Sequence, residues 1–256
     1  MDHGHTFTWL DVIPVLKLIP HQFQHMVGSL IVLSIIALLA FLGNLGLKAR
    51  PNPIIPPSRF TLVGLWDVVV EKFGNLVISV AGPQGKPFIP LIGSIFIYIF
   101  FCNVMGLIPG SITATTYINT NFAVAITVFI FYNYLGFKEH GVGYLKHFTG
   151  PMLLFAPLFF VIELIGHFVR PFSLSLRLFG NMTGDHIVLG VFSDLGIKIF
   201  HAAGNVHPIL QYLSTVIVAL IPIPFYALGL FVCFIQAFVF TLLSTVYIAL
   251  AISHEH

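Results

Sequence analysis

Long apolar runs, separated by short polar or proline-rich stretches, dominate this sequence. The first run covers residues 26–47 and is followed by charged residues and a cluster of prolines, which cannot continue a helix. Two more runs lie within residues 88–137 and are joined by a short polar loop. Each run approaches the roughly 17–25 residues that a helix needs to cross a bilayer. The pattern therefore predicts a membrane span over 26–47 and an antiparallel hairpin of two spans over 88–137.

Residues 58–80 have a different pattern, in which apolar and charged side chains recur at helical spacing. The charged residues include Asp67, Glu71 and Lys72, and this density of charge is too high for a segment that crosses lipid. We therefore expect an amphipathic helix that lies along the membrane interface. Residues 1–25 lack the basic flank of a signal peptide, so we expect them to form an uncleaved external segment.

The last two apolar blocks, 151–195 and 208–252, are too long for an upright crossing. Each has about 45 residues and would measure roughly 67 Å as one helix, whereas the hydrocarbon core of a bilayer is ~30 Å thick. Each block therefore either folds back as a hairpin or crosses once at a steep tilt. Neither contains a polar turn in its middle, which favours two long tilted helices within 151–252, bent at Pro171 and Pro222.

These elements together predict a single all-α polytopic membrane domain over residues 1–256. It has about five membrane crossings, as counted from the runs long enough to span, plus the interfacial helix. Composition supports this class, because 57% of the residues are hydrophobic, 8% are charged and the mean hydropathy is +0.99. The net charge of +2 comes from scattered residues, so we expect no nucleic-acid partner.

The placement of lysine and arginine predicts the orientation of the chain. With the N-terminus external, most basic residues fall on the cytoplasmic side, as the positive-inside rule requires. Only Lys17 and Lys198 remain outside. After five crossings, the tail at His256 is then cytoplasmic. The basic residues on the cytoplasmic side are Lys48, Arg50, Arg59, Lys72, Lys86, Lys138 and Lys146.

Cysteine usage and short motifs indicate neither a metal site nor a cofactor. Cys102 and Cys233 both lie in apolar segments, where a thiol behaves as a small hydrophobic group. His21 and His25 have an i, i+4 spacing but lack a third ligand nearby. Intramembrane proteolysis is disfavoured as well, because neither His-Glu-x-x-His nor Gly-x-Ser-x-Gly occurs.

A membrane oxidoreductase that binds haem is an alternative function, suggested by the 12 histidines. Most of these histidines lie in the tails or in polar loops. His167 and His186 lie in apolar sequence, but they share one predicted helix. Two residues of one helix cannot bind a haem iron from opposite sides, so the positions argue against haem.

Arg177 is the most informative single residue, because it lies deep inside an apolar block. A cation at bilayer depth costs about 2.5–3.5 kcal/mol on insertion scales, and arginine does not escape by losing its proton. The structural alternatives are that Arg177 snorkels to a headgroup or pairs with Asp185. Its distance from both ends of the block favours a functional charge.

The residues that share a helix face with Arg177 are polar or small. At about 100° per residue, Glu163 and Asn181 fall within roughly 40° of Arg177. Asp185 lies about 80° away and His186 points to nearly the opposite side. Close approach of another helix is predicted by the small-xxx-small pair Gly180 and Gly184. The other residues of the face are Arg170 and Ser173.

Three stretches resemble subunit a of the F-type ATP synthase, and the arginine motif is the most specific of them. The similarity in layout extends over most of the chain, including the stop after the first span and the two long final helices. It does not extend to the 25 amino-terminal residues. The stretches are Leu176-Arg177-Leu-Phe-Gly-Asn181-Met, Gln236-Ala-Phe-Val-Phe and Asn103-Val-Met-Gly-Leu-Ile-Pro109.

The resemblance implies a stator subunit of the membrane Fo sector, beside a rotating ring of c subunits that each carry a membrane carboxylate. By similarity, Arg177 faces that carboxylate, keeps it ionised and blocks direct proton leakage between two half-channels. Asn181 and Gln236 match polar neighbours of this arginine, and Glu163 matches an acidic residue of the cytoplasmic half-channel. The face with Arg170, Ser173, Gly180 and Gly184 is expected to pack on the ring.

The implied partners are the c-subunit ring, the Fo b subunits of the peripheral stalk, the other ATP synthase subunits and the lipid bilayer. The implied location is the inner cell membrane, and ATP chemistry would take place elsewhere in the complex, so we expect no cofactor and no catalytic site. The alternative is a free-standing proton or cation channel or transporter. The two are distinguished by whether the chain is held in a complex with a c ring.

The chain departs from the common bacterial pattern of this family in its last two helices. Many bacterial members carry Glu where His186 stands, and His at the position of Gly229. His at the first of these positions resembles the mitochondrial pattern, so we assign the outer half-channel to Asp185 and His186. Histidine exchanges protons near neutral pH.

Structural roles are the alternative for each of these polar residues. Glu163 and His167 are four residues apart and are spaced for an intrahelical pair. Gln236 and Asn181 are equally suited to hydrogen bonding between helices. Asp185 and His186 fit a position at the outer membrane surface.

Overall fold

The computed structural model describes residues 20, 23–48, 61–108, 110–111, 113–144, 156–204, 214–216 and 218–253. In that part of the chain the regular structure is helical and contains no strand, which confirms the all-α class. Short 3-10 helices cover Pro83–Phe88 and Ala114–Thr116. The long helices are α1 (Gln24–Lys48), α2 (Leu62–Ala81), α3 (Ile89–Leu107), α4 (Ile118–His140), α5 (Ala156–Gly204) and α6 (Pro222–Ile252).

Five helical segments are long and apolar enough to cross a membrane, which confirms the polytopic membrane class. Helix α2 is not among them, because Asp67, Glu71 and Lys72 interrupt its apolar sequence. It packs against α1, α3 and α6, and its position at the membrane interface stays a prediction. The five segments are Gln24–Lys48, Pro83–Leu107, Ile118–Tyr144, Pro157–Ala202 and Ser214–Ile252.

Local sequence accounts for both ends of α2. The Thr61 side chain caps the helix by accepting a hydrogen bond from the Gly64 amide at 3.3 Å, which satisfies one of the free N–H groups of the first turn. Gly82 then ends α2 with a φ of 66°, a conformation that favours glycine because it lacks a Cβ. Pro83 starts the short 3-10 helix that leads into α3.

Helix α5 is continuous over 49 residues, with Pro171 inside it. The hairpin alternative for this block is therefore wrong. At 1.5 Å per residue the helix measures about 74 Å, more than twice the thickness of a bilayer core. In the second block, Pro222 occupies the first turn of α6, directly after a turn at Ile221 and helical residues 218–220. Its missing N–H costs no hydrogen bond there, and a bend at this proline stays a prediction.

The core lies among α3, α4 and α6, with α2 and α5 packed on its sides. Phe240, Ile92 and Ile99 are among its most deeply buried side chains. Helix α5 contributes one buried stripe, repeated every three or four residues as expected of a helix that packs on one side. The stripe consists of His167, Pro171, Leu174, Leu178 and Met182.

Two glycines allow α3 to approach its neighbours closely. A Cβ at Gly106 would overlap the Met182 side chain of α5 and approach Thr113 Oγ1 to 2.8 Å. A Cβ at Gly229 of α6 would lie 2.7 Å from Leu107 Cδ2. Small residues at such crossings let membrane helices pack tightly. The space beside Gly229 is therefore filled by Leu107.

Candidate functional site

Arg177 lies on α5, is partly exposed, and makes no hydrogen bond or ion pair with any residue that the structure describes. The structural alternative in which it pairs with Asp185 is therefore wrong. A guanidinium has five N–H donors and no acceptor. Within the described ranges, the donors of Arg177 are thus without a protein partner.

The face of α5 around Arg177 is not covered by other described parts of the chain. Ser173, Asn181 and the glycines are exposed. A Cβ added at Gly180 or at Gly184 would meet nothing within 4 Å. This smooth, open strip lies beside the buried stripe of the same helix. We call the strip formed by Ser173, Arg177, Gly180, Asn181 and Gly184 the arginine face.

Asn181 and Gln236 connect α5 to α6 one turn beyond Arg177. Asn181 Nδ2 donates a hydrogen bond to Gln236 Oε1 at 2.6 Å, and Gln236 is only 5% exposed. A buried amide in a membrane helix needs such a partner, because the surrounding hydrocarbon supplies none. The two residues that the sequence motifs single out are therefore in direct contact.

Glu163 and Arg170 form an ion pair on α5, with Arg170 about two turns and Glu163 about four turns before Arg177. Arg170 Nη2 lies 3.1 Å from Glu163 Oε1, and the side chains are 31% and 47% exposed. The Arg170 guanidinium also lies 5.4 Å from the ring centroid of Tyr247 on α6, within the range of a cation–π contact. Glu163 thus pairs with Arg170, whereas the predicted alternative partner, His167, contacts Asn133 of α4.

Asp185 and His186 lie on the opposite side of Arg177 along α5. Both are partly buried, and Asp185 Oδ2 is buried without a hydrogen-bond partner. At 1.5 Å per residue, Asp185 is about 12 Å and Glu163 about 21 Å from Arg177 along the helix axis. The structure therefore places Glu163 on one side of Arg177 along the helix, and Asp185 and His186 on the other. None of the three lies next to the arginine.

A set of buried polar atoms near the start of α4 has no hydrogen-bond partner, and sequence reasoning did not single it out. The 3-10 helix Ala114–Thr116 brings it against α1, α3 and α5. The signal for it in the sequence is the run of polar residues between two apolar spans. On its own, that run at Thr115–Thr120 predicts only a loop. This group, the threonine cluster, comprises His25 Nδ1, Asn103 Oδ1, Thr113 Oγ1, Thr115 Oγ1, Thr120 Oγ1 and Asn121 Oδ1.

No group of three His, Cys, Asp or Glu side chains lies close enough to hold a metal ion within the ranges described above. Cys102 and Cys233 are buried free thiols. Cys102 packs with Val32 and Ala114 in a small apolar cluster. Both cysteines therefore have ordinary packing roles.

Comparison with known proteins gives one consistent result. The family described as ATP synthase A chain matches residues 26–249. ATP synthase subunit a of Bdellovibrio bacteriovorus is 42% identical over 98% of this chain and 100% of the relative. The subunit a of Desulfosudis oleivorans is 41% identical over 92% and 91%, and that of Protochlamydia amoebophila is 39% identical over 92% and 82%. The chain belongs to the ATP synthase A chain family.

Proposed function

We propose that this protein is the ion-conducting stator subunit of the membrane Fo sector of an ATP synthase. The observation that carries the proposal is Arg177, a permanent cation on an open, smooth face of α5 that forms no ion pair with any residue the structure describes. A charge at this depth is costly without a counter-ion. A ring of c subunits that each carry a membrane carboxylate supplies an anion of the required charge and depth.

Arg177 then acts as an electrostatic barrier that does not carry protons. The guanidinium attracts each ring carboxylate as it passes and favours the ionised form. Because arginine stays protonated throughout, it does not pass a proton from one side of the membrane to the other. Protons therefore cross only by riding on the ring, which couples their movement to rotation.

The two half-channels lie at opposite ends of the α5 segment that carries Arg177. Glu163 serves the cytoplasmic half-channel, while Asp185 and His186 serve the outer one. The threonine cluster extends the outer path, because buried polar atoms without protein partners are typical sites for ordered water. Thr113 supports this position, since its Oγ1 lies beside Gly106, on which Met182 of α5 packs.

Asn181 and Gln236 hold α5 and α6 together beside the arginine and so keep its backbone in place. In many bacterial relatives a histidine occupies the position of Gly229, but here Leu107 fills that space. The titratable group of the outer half-channel is therefore His186 of α5. In this arrangement the N-terminus is external, the C-terminus is cytoplasmic and the b subunits of the peripheral stalk hold the chain still in the inner membrane.

Disulfide cross-linking in the assembled complex tests whether the arginine face meets the c ring. Cysteine at Gly180, which is open, should cross-link to a cysteine introduced beside the ring carboxylate. Cysteine at Leu178, which is 1% exposed and faces the core, is the matched control and should not. Equal cross-linking at both positions, or none at Gly180, would contradict the proposal. Ion conduction by the purified chain without a ring would favour the free-standing channel instead.

A further inference from the structure

His167 is a buried histidine within the membrane-spanning part of α5, and the stator function proposed above gives it no role. It is 5% exposed, and its Nε2 lies 2.8 Å from Asn133 Oδ1 of α4. The contact joins the helix that carries Arg177 to a helix that belongs to the core. A polar contact between two apolar spans is unusual enough to require a reason.

The hydrogen bonds of the Asn133 amide indicate that His167 is the donor in the contact between the two side chains. Asn133 Nδ2 donates to the Phe129 carbonyl at 2.7 Å, so Oδ1 is the atom of this amide that accepts. His167 Nε2 therefore carries a proton and donates it to Asn133. The Tyr144 hydroxyl donates to the same oxygen at 3.4 Å. One amide of α4 thus holds a donor from α5 and a second donor from the turn that follows α4.

Aromatic rings surround the imidazole and restrict its position. Its ring centroid is 4.9 Å from that of Phe129, 5.4 Å from that of Tyr132 and 6.3 Å from that of Phe168. The Tyr144 ring packs directly on Gly136 of α4, which places its hydroxyl beside Asn133. A side chain that is both hydrogen-bonded and enclosed by rings does not change rotamer freely.

His167 lies between the two members of the Glu163–Arg170 ion pair. Glu163 is four residues before it and Arg170 three residues after it, spacings that place all three on neighbouring turns of one helix side. The Arg170 guanidinium is held by Tyr247, whose ring is 5.6 Å from that of Tyr132. The contacts of His167 and those of the ion pair therefore meet at Tyr132, in one connected set.

We propose that His167 is a positioning residue for the cytoplasmic half-channel: its hydrogen bond to Asn133 fixes the rotation of α5 about its own axis. Each residue of a helix turns by about 100°, so even a small rotation would move Glu163 and Arg177 away from their working directions. His167 acts through Asn133 and does not itself relay protons. The inference rests on the stator function proposed above.

Paired substitutions test this role in the complete complex, reconstituted into liposomes. His167→Leu removes the donor, whereas His167→Gln retains an amide donor at a similar reach without an imidazole. ATP-driven proton pumping is normalised to the amount of assembled complex. We expect His167→Leu to lower the rate at least three-fold and His167→Gln to restore more than half of it. Val169→Leu, at a nearby exposed position of α5, is the matched control and should pump normally.

A distance measurement reports the orientation of α5 directly. Spin labels at Ile165 and Tyr134, both exposed positions, should show a broader distance distribution in His167→Leu and the original distribution in His167→Gln. An unchanged distribution or an unchanged pumping rate in His167→Leu would overturn the positioning role. Equal loss of pumping in the Leu and Gln variants would also overturn it, because that result indicates a proton relay.

A parallel Arg177→Ala complex separates this inference from the proposed function. If Arg177→Ala is inactive while His167→Leu behaves as the unmodified complex, only the positioning role fails. If Arg177→Ala retains coupled pumping, the stator proposal itself fails.

Discussion

Two arginines on one helix show how differently the structure compensates charge. Arg170 has a carboxylate partner at 3.1 Å and an aromatic face at 5.4 Å. Arg177, two turns further along α5, has no such partner among the described residues. A charged side chain inside a membrane span is costly, and one without a partner in its own chain marks a functional site. The contrast supports a structural role for Arg170 and a functional role for Arg177.

The hydrogen bond between Asn181 and Gln236 should contribute measurably to the packing of α5 on α6. In a double-mutant cycle with Asn181→Leu and Gln236→Leu, we expect a coupling energy of about 0.6–1.7 kcal/mol, the range found for hydrogen bonds within membrane proteins. The free energy of unfolding in mild detergent provides the measurement. Strictly additive effects of the two substitutions would mean that the contact does not stabilise the helix pair.

At the scale of elements, α5 has one buried side and one open side. The helical repeat of its sequence predicts both sides. The buried stripe recurs every three or four residues, and the arginine face lies beside it. The stability of such a helix comes mostly from the packing of its buried side. Changes on the two sides should therefore have separable effects on folding and on coupling.

Matched leucine substitutions of glycine test this separation. Gly106→Leu places a side chain where Met182 of α5 packs, and overpacking typically costs about 1–3 kcal/mol. We expect less folded protein in the membrane. A Cβ added at Gly180 meets no described atom within 4 Å, so with Gly180→Leu we expect the folded amount to stay normal while coupled ATP synthesis falls. Immunoblotting of membranes and ATP synthesis assays measure the two effects; a folding defect for Gly180→Leu would contradict the assignment.

Sequence patterns were sufficient to predict the helical class, the long fifth helix and the polar face around Arg177. They were not sufficient for contacts between helices. The partner of His167 is Asn133, 34 residues earlier in the chain, and no periodicity along one helix identifies a partner on another. Proline both bends helices and begins them, so sequence alone does not show that Ile221 forms a turn between helical residues 218–220 and α6.

At the scale of the whole molecule, the stator proposal requires two access paths that never join. Glu163 and Asp185 lie on opposite sides of Arg177 along one continuous helix, so their accessible sides should differ. A single pore through the chain would dissipate the ion gradient without turning the ring.

Cysteine accessibility measures this asymmetry. In membranes that carry a single cysteine at 163 or at 185, silver ion added from outside should inhibit proton flux sooner through the cysteine at 185. Silver added from the cytoplasmic side should reverse the order, because each site opens to one side only. Cysteine at Leu178, which is buried in the core, serves as the insensitive control. Equal sensitivity from both sides would indicate one continuous channel and contradict the two-path arrangement.

The most direct test of the central claim is ATP synthesis driven by a proton gradient in complexes that carry Arg177→Ala. Arg177 makes no hydrogen bond or ion pair with any described residue, so we expect the complex to assemble with its c ring while synthesis is abolished. Arg177→Lys should fail as well, because an ammonium differs in shape and loses its proton more readily. Near-normal coupled synthesis by the assembled Arg177→Ala complex would contradict the proposed function.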